Sequence, residues 1–337
     1  TVVHGWEENG EWIQDITYRK NKHDLDGNDI FNFIVGQGND SDGVDLNRNY
    51  DFNWINGDGI YEPDNGGCNP SYYTDFDYYR GPEPFSEKEI QAIRDFVIDK
   101  KFLVSVAYHS SRSGCVSERV IFPWGWKDDK LDSAKVSPDY TIIKDLAEGI
   151  ASNIVKQGSS LSYIATAQKS RTGNAHDWIY AETGCIQLLI EMGSSNMQPM
   201  EQMLIDNIIE NNRKGLFYFL REAISAEAVD TRQISGLVTD AESGDRLENV
   251  EVKVLEYHSD ILQPRFTDSF GRFRRLVPSD SLTFEFVIEG YDTLIIKIGE
   301  NDEELNIALT QSDPLEYENQ YLPRSFKLNQ NYPNPFN

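Results

Sequence analysis

The 337-residue chain has no long apolar run and few cysteines. No stretch approaches the ~18 consecutive apolar residues of a membrane-spanning helix, so the sequence predicts no membrane span. Its three cysteines, Cys68, Cys115 and Cys185, are too few for a disulfide scaffold or a cysteine-rich metal site. One disulfide can form among them, and the sequence does not indicate which pair would form it.

Positive charge is also scarce. The chain has 31 Lys and Arg residues against 56 Asp and Glu, which gives a formal net charge of −25. Such an acidic surface repels phosphate groups, so we expect neither a nucleic acid nor an anionic membrane as partner. Disorder is excluded because 39 % of the residues are hydrophobic and 12 % are aromatic. The length favours about two domains, each with its own core.

Residues 1–226 alternate helical and strand-like patterns, which predicts an α/β domain. Apolar residues at helical spacing predict three helices, over about 87–99, from 138 to a stop at Gly158, and over 199–221. Short apolar runs predict two buried strands, over 102–108 and 186–190.

From Arg232 to about Thr310 the helical period disappears and short alternating runs take its place. Turn-forming residues separate four runs, over 234–238, 250–255, 284–288 and 294–298. The pattern predicts a small all-β sandwich over residues 232–310. The proline-containing stretch 311–337 has little apolar periodicity and is predicted to be a linker or tail.

A Gly- and Asn-rich loop contains the segment Asp45-Leu-Asn-Arg-Asn-Tyr50. This composition is typical of a surface turn, in which Asn and Asp side chains bond to their own backbone. The alternative is a carboxylate clamp. In that case the Arg48 fork grips a carboxylate through two parallel hydrogen bonds, and the Asn47 amide adds a donor without charge.

His109 and Glu191 each follow a predicted buried strand. Ligands of open α/β sheets bind at the carboxyl ends of strands, so both side chains are candidates for a functional site. A carboxylate at the rim of a dry strand suits a general base. On these residues alone, a hydrogen-bonded structural histidine and a structural ion pair remain open as alternatives.

Five motifs occur in order along the first two thirds of the chain. They are Gly43-Val-Asp-Leu-Asn-Arg-Asn-Tyr50, Tyr79-Arg-Gly-Pro-Glu-Pro-Phe-Ser-Glu87, Tyr108-His-Ser110, Asp177-Trp178 and Leu189-Ile-Glu-Met192. Together they resemble the zinc carboxypeptidases of the carboxypeptidase A/B family, over about residues 15–222. The resemblance implies a mixed sheet with helices on both faces, a Zn²⁺ cofactor, and peptide or protein C-termini as substrates.

The resemblance also implies roles for individual residues. His109 is implied to be a zinc ligand, and Glu191 to be the general base that activates a zinc-bound water. Asn47 and Arg48 are implied to hold the C-terminal carboxylate of the substrate. Arg19, in Tyr18-Arg-Lys-Asn21, is implied to steady the developing oxyanion.

The sequence departs from the family pattern at the first zinc motif. The family supplies two more ligands as His-x-x-Glu, roughly fifty residues before the oxyanion arginine, whereas 18 residues precede Arg19. His4-Gly-Trp-Glu7 fits the four letters but lies too near Arg19. The chain also begins at Thr1 without an initiator methionine or a signal peptide. We therefore expect a truncated sequence with little activity, because a catalytic zinc needs three protein ligands.

A second departure lies at the family's mobile tyrosine, where this chain has Lys169. Tyr163 is a substitute only if the loop is rearranged. His176 occupies the position before Asp177 that helps to select the terminal side chain of the substrate. It predicts neither a purely aliphatic nor a plainly basic preference, and the alternative is a surface histidine.

The C-terminal part resembles two further families. Ile234-Ser-Gly-Leu-Val-Thr-Asp240 with Thr267-Asp-Ser-Phe-Gly-Arg-Phe273 resembles the carboxypeptidase regulatory-like domain, which carries no catalytic groups. Phe326-Lys-Leu-Asn-Gln-Asn-Tyr-Pro-Asn-Pro-Phe-Asn337 resembles the opening of a type IX secretion sorting domain. The second resemblance implies the type IX secretion machinery as a partner and a secreted or cell-surface location. This sorting domain is expected to be cut off at Asn337.

Two acidic loops give a weaker metal signal. Asp24-Leu-Asp-Gly-Asn28 and Asn56-Gly-Asp-Gly59 have alternating oxygen side chains that suit calcium. Neither ends in the Glu of an EF-hand loop, so Asp-Gly and Asn-Gly turns are the commoner explanation.

The sequence thus predicts an exported zinc carboxypeptidase that removes C-terminal amino acids from peptides. Two alternatives stay open. One is a related amidase that acts on cell-wall peptides. The other is a non-catalytic peptide- or surface-binding protein, which the missing ligands and Lys169 favour.

Overall fold

The structure, a computed structural model, describes residues 5–14, 19–30, 42–54, 79–110, 117–128, 133–167, 173–194, 201–224, 231–257, 262–278, 280–300 and 302–312. The strands of the N-terminal part are β1 (Gly5–Glu8), β2 (Glu11–Gln14), β3 (Val104–His109), β4 (Arg119–Phe122), β5 (Gly125–Asp128), β6 (Ser133–Val136), β7 (Ile164–Ala167) and β8 (Ile186–Glu191). Its helices are α1 (Lys88–Lys100), α2 (Tyr140–Ser152), α3 (Ala175–Thr183) and α4 (Gln202–Ala223). The strands that follow are β9 (Thr231–Asp240), β10 (Glu251–Val254), β11 (Arg265–Phe266), β12 (Arg272–Pro278), β13 (Leu282–Val287), β14 (Leu294–Ile298) and β15 (Glu304–Leu309).

A four-stranded mixed sheet with the order β3-β8-β4-β7 lies at the centre of the N-terminal part. β3 is parallel to β8, and β4 is antiparallel to β8 but parallel to β7. The register pairs His109 with Glu191, which are the last residues of β3 and β8. Parallel neighbouring strands therefore bring these two side chains to one end of the sheet.

The helices cover this sheet with apolar stripes. Ile142, Ile143, Leu146 and Ile150 recur at helical spacing in α2, and all four are buried. They let α2 pack against β4, β7 and α4, while α3 packs against β8. Each such side chain contributes about 1.5–3 kcal/mol when it leaves water. The predicted α/β fold with a mixed sheet is confirmed.

Two further sheets, β11-β10-β13-β14 and β12-β9-β15, follow in the C-terminal part. Their strands alternate buried and exposed residues, as β13 and β15 show most clearly. The buried residues form an apolar cluster that includes Ile234, Phe273, Phe284 and Phe286. The predicted all-β unit is thus present. The sequence prediction missed three of its strands, β11, β12 and β15.

Two local predictions were wrong. Helix α2 ends at Ser152, and Gly158 lies in the loop between Val155 and Ser162, which form an isolated β-bridge. The helix ends early because the N–H groups of Asn153 and Ile154 bond to carbonyls three residues back. Strand β3 is half-buried rather than buried, since it pairs with β8 and no second neighbour in the described sheet.

The two parts pack directly on each other. Leu276 of β12 belongs to the apolar core of the N-terminal part, and β12 contacts α2. The Gln263 N–H donates to the carbonyl of Ala181, in the last turn of α3, at 2.7 Å. No helix among the described residues is long and apolar enough to cross a membrane.

Candidate active site

The ends of β3 and β8 bring an imidazole and a carboxylate together. The Nδ1 atom of His109 lies 3.4 Å from Oε2 of Glu191, and the Met192 N–H donates to the His109 carbonyl at 2.9 Å. Glu191 is buried, and its Oε2 accepts no hydrogen bond from the described residues. His109 is partly exposed. The pair therefore consists of a partly solvated imidazole, that of His109, and a carboxylate shielded from bulk water, that of Glu191.

The loop 42–50 places Arg48 beside helix α3. Asp45 begins a single 3-10 turn by accepting a hydrogen bond from the Asn47 N–H at 3.1 Å. Arg48 is buried, and its Nη1 donates to two neutral oxygens, the Asn47 carbonyl at 2.5 Å and Asn174 Oδ1 at 2.8 Å. Asn47 Oδ1 accepts from the Ala175 N–H at 3.0 Å. The predicted Asn–Arg pair is thus anchored to the first turn of α3.

A glycine makes this close approach to α3 feasible. Gly173 has φ +68°, and a Cβ at this residue would overlap the carbonyl of Arg48. Its N–H donates to Phe52, and its carbonyl accepts from Tyr50 at 3.2 Å. Only glycine combines this backbone conformation with so little space.

Helix α3 buries two ionisable side chains at its N-terminal end. His176 is 2 % exposed, and neither of its ring nitrogens has a hydrogen-bond partner among the described residues. Burial, with smaller contributions from the charges of Arg48 and His109, lowers the pKa of His176 to about 3. The imidazole is therefore neutral at physiological pH. The alternative of a surface histidine was wrong, because six consecutive residues of α3, from His176 to Ala181, are buried.

Asp177 accepts a hydrogen bond from the Trp124 N–H at 3.2 Å, and burial raises its pKa well above the usual range. Arg48 contacts Asn174, the residue that precedes α3, and α3 packs against β8, whose last residue Glu191 is paired with His109. The structure thus brings together four of the residues that the sequence singled out, His109, Glu191, Arg48 and His176.

Arg19 reaches the same loop from another direction. Its Nη2 forms an ion pair with Asp45 Oδ2 at 2.8 Å, two residues before Asn47. Asp45 therefore has two tasks, since it also caps the 3-10 turn. The ion pair fixes Arg19 next to the Asn47–Arg48 segment.

Sequence reasoning missed the network that supports this loop. Asn49 Nδ2 donates to the carbonyls of Arg80 and Glu83 and to Ser86 Oγ, and Asn49 Oδ1 accepts from the Glu87 N–H. Asn174 was missed as well, although it precedes the Asp177-Trp178 motif by three residues. The signal that could have identified Asn174 is its position: it follows Gly173 directly and lies next to the Asp177-Trp178 motif.

Comparison with known protein families gives one match that covers most of this region. The zinc carboxypeptidase profile of peptidase family M14 matches residues 5–215, more than half of the chain. The chain belongs to the zinc carboxypeptidase family.

Curated relatives agree with this family. Carboxypeptidase B of Astacus astacus is 30 % identical over 145 residues, which are 42 % of this chain and 41 % of the relative. Mast cell carboxypeptidase A of Mus musculus is 28 % identical over 174 residues, 50 % of this chain and 34 % of the relative. The chain therefore spans well under half the length of either relative. The crystal structure of carboxypeptidase A from Helicoverpa armigera is 20 % identical, with a TM-score of 0.39 over 55 % of this chain and 43 % of its own.

The zinc that this family implies can be tested against the donor atoms. Nδ1 of His109 lies 3.2 Å from the Ser110 carbonyl, a contact that suits an N–H there and leaves Nε2 for a metal. A catalytic zinc needs three protein ligands, and His109 is the imidazole that the described residues offer at this site. His4 and the side chain of Glu7 lie outside the described part. The chemistry of His109 fits zinc, and the described residues alone do not complete the ligand set.

The other residues that the sequence singled out lie outside this site or outside the described part of the chain. Lys169, Cys68, Cys115 and the loop 56–59 are outside the described residues, and Cys185 is a free thiol. The Tyr163 hydroxyl is buried and accepts the Gly193 N–H at 3.1 Å, so Tyr163 has a structural contact and does not replace the mobile tyrosine here.

The first acidic loop does gather carboxylates. Oxygen atoms of Asp24, Asp26 and Asp42 lie within 4.8 Å of one another. Asp24 accepts from the N–H groups of Gly27 and Asp29, which is the arrangement of an Asp-Gly turn. Calcium at this loop stays a prediction.

Proposed function

We propose that the protein is a zinc metallocarboxypeptidase that hydrolyses the last peptide bond of peptides or proteins. The observation that carries this proposal is the pairing of His109 with Glu191 at adjacent strand ends, in the same region as the buried Arg48. Membership of the zinc carboxypeptidase family supports it.

Glu191 is proposed as the general base. Its Oε2 is buried and has no hydrogen-bond donor among the described residues, so a water molecule held at this oxygen would supply its missing partner. A positioned base contributes roughly 10²- to 10⁴-fold to the rate. When bound with His109 as one ligand, zinc would lower the pKa of water toward about 7 and polarise the scissile carbonyl.

Arg48 and Asn47 are proposed to bind the substrate's C-terminal carboxylate. The Arg48 side chain is buried, and its Nη1 is held by the Asn47 carbonyl and by Asn174 Oδ1, which fixes the guanidinium in the site. A buried guanidinium attracts a carboxylate more strongly than an exposed one does. Arg19 is proposed to steady the oxyanion, and its ion pair with Asp45 would hold the side chain in place.

His176 is proposed to contact the terminal side chain of the substrate, with Lys169 as a further substrate contact. A neutral imidazole has one N–H donor and one acceptor, and those of His176 are unused by the described residues. We therefore expect a preference for terminal side chains that are uncharged and can form a hydrogen bond. Peptides ending in Gln, Leu or Lys would rank this preference.

One experiment tests the function directly. A peptide with a free C-terminus and its amidated counterpart are incubated with the zinc-loaded protein, with and without a zinc chelator. We expect slow, zinc-dependent release of the last residue from the free peptide only. The reaction is slow because the described residues supply one zinc ligand, and it is selective because Arg48 requires a carboxylate. Cleavage of both peptides at equal rates would contradict the carboxylate clamp.

A matched pair of variants sharpens this result. Arg48→Gln should raise KM by about 10- to 150-fold, the value of a hydrogen bond to a charged group. Arg213→Gln is the control, since Arg213 lies on the surface and pairs with Glu210 at 2.7 Å. Its KM should stay unchanged.

A non-catalytic binding protein is the second candidate. The observation that favours it is the single imidazole that the described residues offer to zinc. In that case the free peptide would bind with Arg48-dependent affinity but would not be cleaved at any zinc concentration. Digestion of muropeptides would separate the cell-wall amidase from both.

The remaining predictions about organisation belong to the same proposal. We propose a catalytic domain over 1–226, a carboxypeptidase regulatory-like domain over 232–310, and a linker with the start of a secretion sorting signal over 311–337. Export through the type IX secretion machinery to the medium or the cell surface follows from that segment. Fusion of residues 311–337 to a reporter protein would test it.

A further inference from the structure

A cleft of about 700 Å³ lies between the end of helix α1 and the β-sandwich. Residues 98–103 form one wall, and residues 263–275 form much of the other. We call it the interface cleft. Arg265 and Arg275 line it, and both are largely buried, with 12 % and 4 % of their side chains exposed. Two guanidinium groups thus lie in the contact between the two parts of the protein.

These two guanidinium groups share one carboxylate. Asp139, just before α2, lies 3.3 Å from Arg275 Nη2 and 3.7 Å from Arg265 Nη2. Among the described residues, it is the carboxylate within ion-pair distance of either group. Asp139 also accepts a hydrogen bond from the Tyr180 hydroxyl at 2.7 Å. Part of its capacity to compensate charge is therefore already used.

Two weakly acidic side chains close to Arg265, Tyr180 and Cys185, are neutral at pH 7. Burial raises the pKa of Tyr180 well above its usual range and the pKa of Cys185 to about 11. Burial, followed by the charge of Arg275, lowers the pKa of Arg265 to about 10, so the guanidinium remains protonated at neutral pH. At ion-pair distance, the two guanidinium groups therefore share the single charge of Asp139. Asp99, Glu182, Glu248 and Asp268 also line the cleft, but among the described residues they form no ion pair with Arg265 or Arg275. A buried cation without a close counter-ion is costly.

Hydrogen bonding shows the same deficit. The Nε atoms of Arg265 and Arg275 are buried and have no acceptor among the described residues. A second cavity of about 30 Å³ is also lined by both arginines, and it is large enough for a water molecule. Water would satisfy an N–H group, but it would not balance the charge.

We propose that Arg265 and Arg275 at the base of the interface cleft bind a small oxyanion with phosphate or carboxylate chemistry. The planar fork of arginine matches two oxygens of such a group, and an anion there would restore the charge balance. The overall acidity of the chain makes this pair of buried cations unusual for its surroundings.

This site is separate from the proposed catalytic one. Arg265 Nη2 donates to the carbonyl of Gly184, which follows the C-terminus of α3, whereas His176 lies at the N-terminus of that helix. Eight residues of helix separate them by about 12 Å. The proposal therefore does not depend on the peptidase activity, and either can fail alone.

The test is thermal unfolding of the full chain in inorganic phosphate and in sodium chloride of equal ionic strength. Specific binding to the folded state should raise Tm by about 2–4 °C in phosphate relative to chloride. Acetate and citrate in parallel distinguish carboxylate from phosphate chemistry. Equal Tm values in chloride and in every oxyanion would overturn the proposal.

Variants locate the effect. Arg275→Gln should abolish the phosphate-dependent shift. Arg272→Gln should keep it, because Arg272 lies on the same strand and in the same cleft but is exposed and pairs with Asp268 at 2.9 Å. Arg48→Gln should also keep it, which excludes binding at the proposed substrate clamp. A shift that survives Arg275→Gln but disappears in Arg48→Gln would refute the site.

A further variant covers the case in which Arg275→Gln does not fold. Asp139→Asn removes the shared carboxylate and leaves both guanidinium groups without a counter-ion. The phosphate-dependent rise in Tm should then exceed that of the unmodified protein. An unchanged or smaller rise would contradict binding at Arg265 and Arg275.

Discussion

The α/β part and the β-sandwich bury their polar groups in different ways. In the sandwich, Arg232 is buried but donates to the carbonyls of Asp302 and Asp280, and the buried Asp240 accepts from Tyr291 and Gln311. In the α/β part, the ring nitrogens of His176 and Oε2 of Glu191 have no hydrogen-bond partner among the described residues. An unsatisfied buried polar group costs about 1–3 kcal/mol.

This difference shows which buried polar groups lower the stability of each part. The sandwich core is a cluster of apolar side chains. The unsatisfied polar atoms that the described part of the sandwich contributes, the Nε atoms of Arg265 and Arg275, lie where it meets the α/β part. The α/β part keeps unpaired polar groups at the ends of β8 and α3, which packing alone does not require. Such a cost is expected where a ligand later supplies the missing partners. The comparison therefore supports the proposal of a peptidase site in the α/β part, at the ends of β8 and α3.

The largest effect is expected for Glu191→Gln. The amide keeps the shape of the side chain but cannot accept a proton, so kcat should fall by roughly 10²- to 10⁴-fold with little change in KM. Steady-state hydrolysis of a peptide with a free C-terminus by the zinc-loaded protein measures this.

Glu285→Gln is the matched control in the sandwich, where Glu285 pairs with Lys253 at 3.5 Å on the surface of β13. Its kcat should be unchanged. A comparable loss of kcat in Glu191→Gln and Glu285→Gln would contradict the proposal that catalytic residues lie in the α/β part and not in the sandwich.

The next effect concerns the stability of the sandwich. Phe284 is fully buried and lies 6.3 Å from Phe286 and 6.4 Å from Phe273, measured between ring centroids. Phe284→Ala should lower the free energy of unfolding by about 3–5 kcal/mol through loss of burial and creation of a cavity. Urea unfolding measures this, with Phe270→Ala as control because Phe270 is 61 % exposed. Equal losses would mean that the Phe284 cluster does not form the core.

Features of the fold and of the candidate site that depend on neighbouring residues in the sequence could be predicted, whereas those that depend on long-range packing could not. Apolar runs located β8 and β3, and with them the positions of Glu191 and His109, because a strand end is a local property. The burial of His176 was not predictable from the chain alone, since α3 is short and is buried on several sides at once. Long-range packing decides that environment.

The same reasoning explains the missed strand β12. Its segment Arg272-Phe-Arg-Arg-Leu-Val-Pro278 carries three arginines, a composition typical of a solvated surface. Arg275 is nevertheless buried because it meets Asp139, which lies 136 residues earlier in the chain. No local pattern records such a contact. The ion pairs that join the two parts are therefore visible only in the folded protein.

A smaller effect on stability is expected at the junction between loop 42–50 and α3. Gly173→Ala would place a Cβ against the Arg48 carbonyl and would also disfavour φ +68°. We expect a loss of about 1–3 kcal/mol in unfolding free energy, together with a raised KM because Arg48 is displaced. Gly158→Ala is the control, since Gly158 has φ +65° and open space around it. Both variants place a side chain at a positive φ, but only Gly173→Ala also places a Cβ against the Arg48 carbonyl. A larger loss of unfolding free energy in Gly173→Ala therefore measures this steric clash.

The smallest effect tests burial in the α/β part without changing a residue. The Cys185 thiol lies at the start of β8, donates to Ser105 Oγ at 3.3 Å and has its pKa raised by burial to about 11. Because the thiolate is the reactive form, iodoacetamide at about pH 8 should leave Cys185 unmodified in the native protein. Its labelling should increase about tenfold per pH unit up to pH 11 rather than level off near pH 9. Mass spectrometry of the peptide containing Cys185 follows the reaction, and the urea-unfolded protein, in which the thiol titrates normally, is the control. Rapid native labelling at pH 8 would show that the interior of this sheet is open to solvent, and the contrast with the sealed sandwich core would be lost.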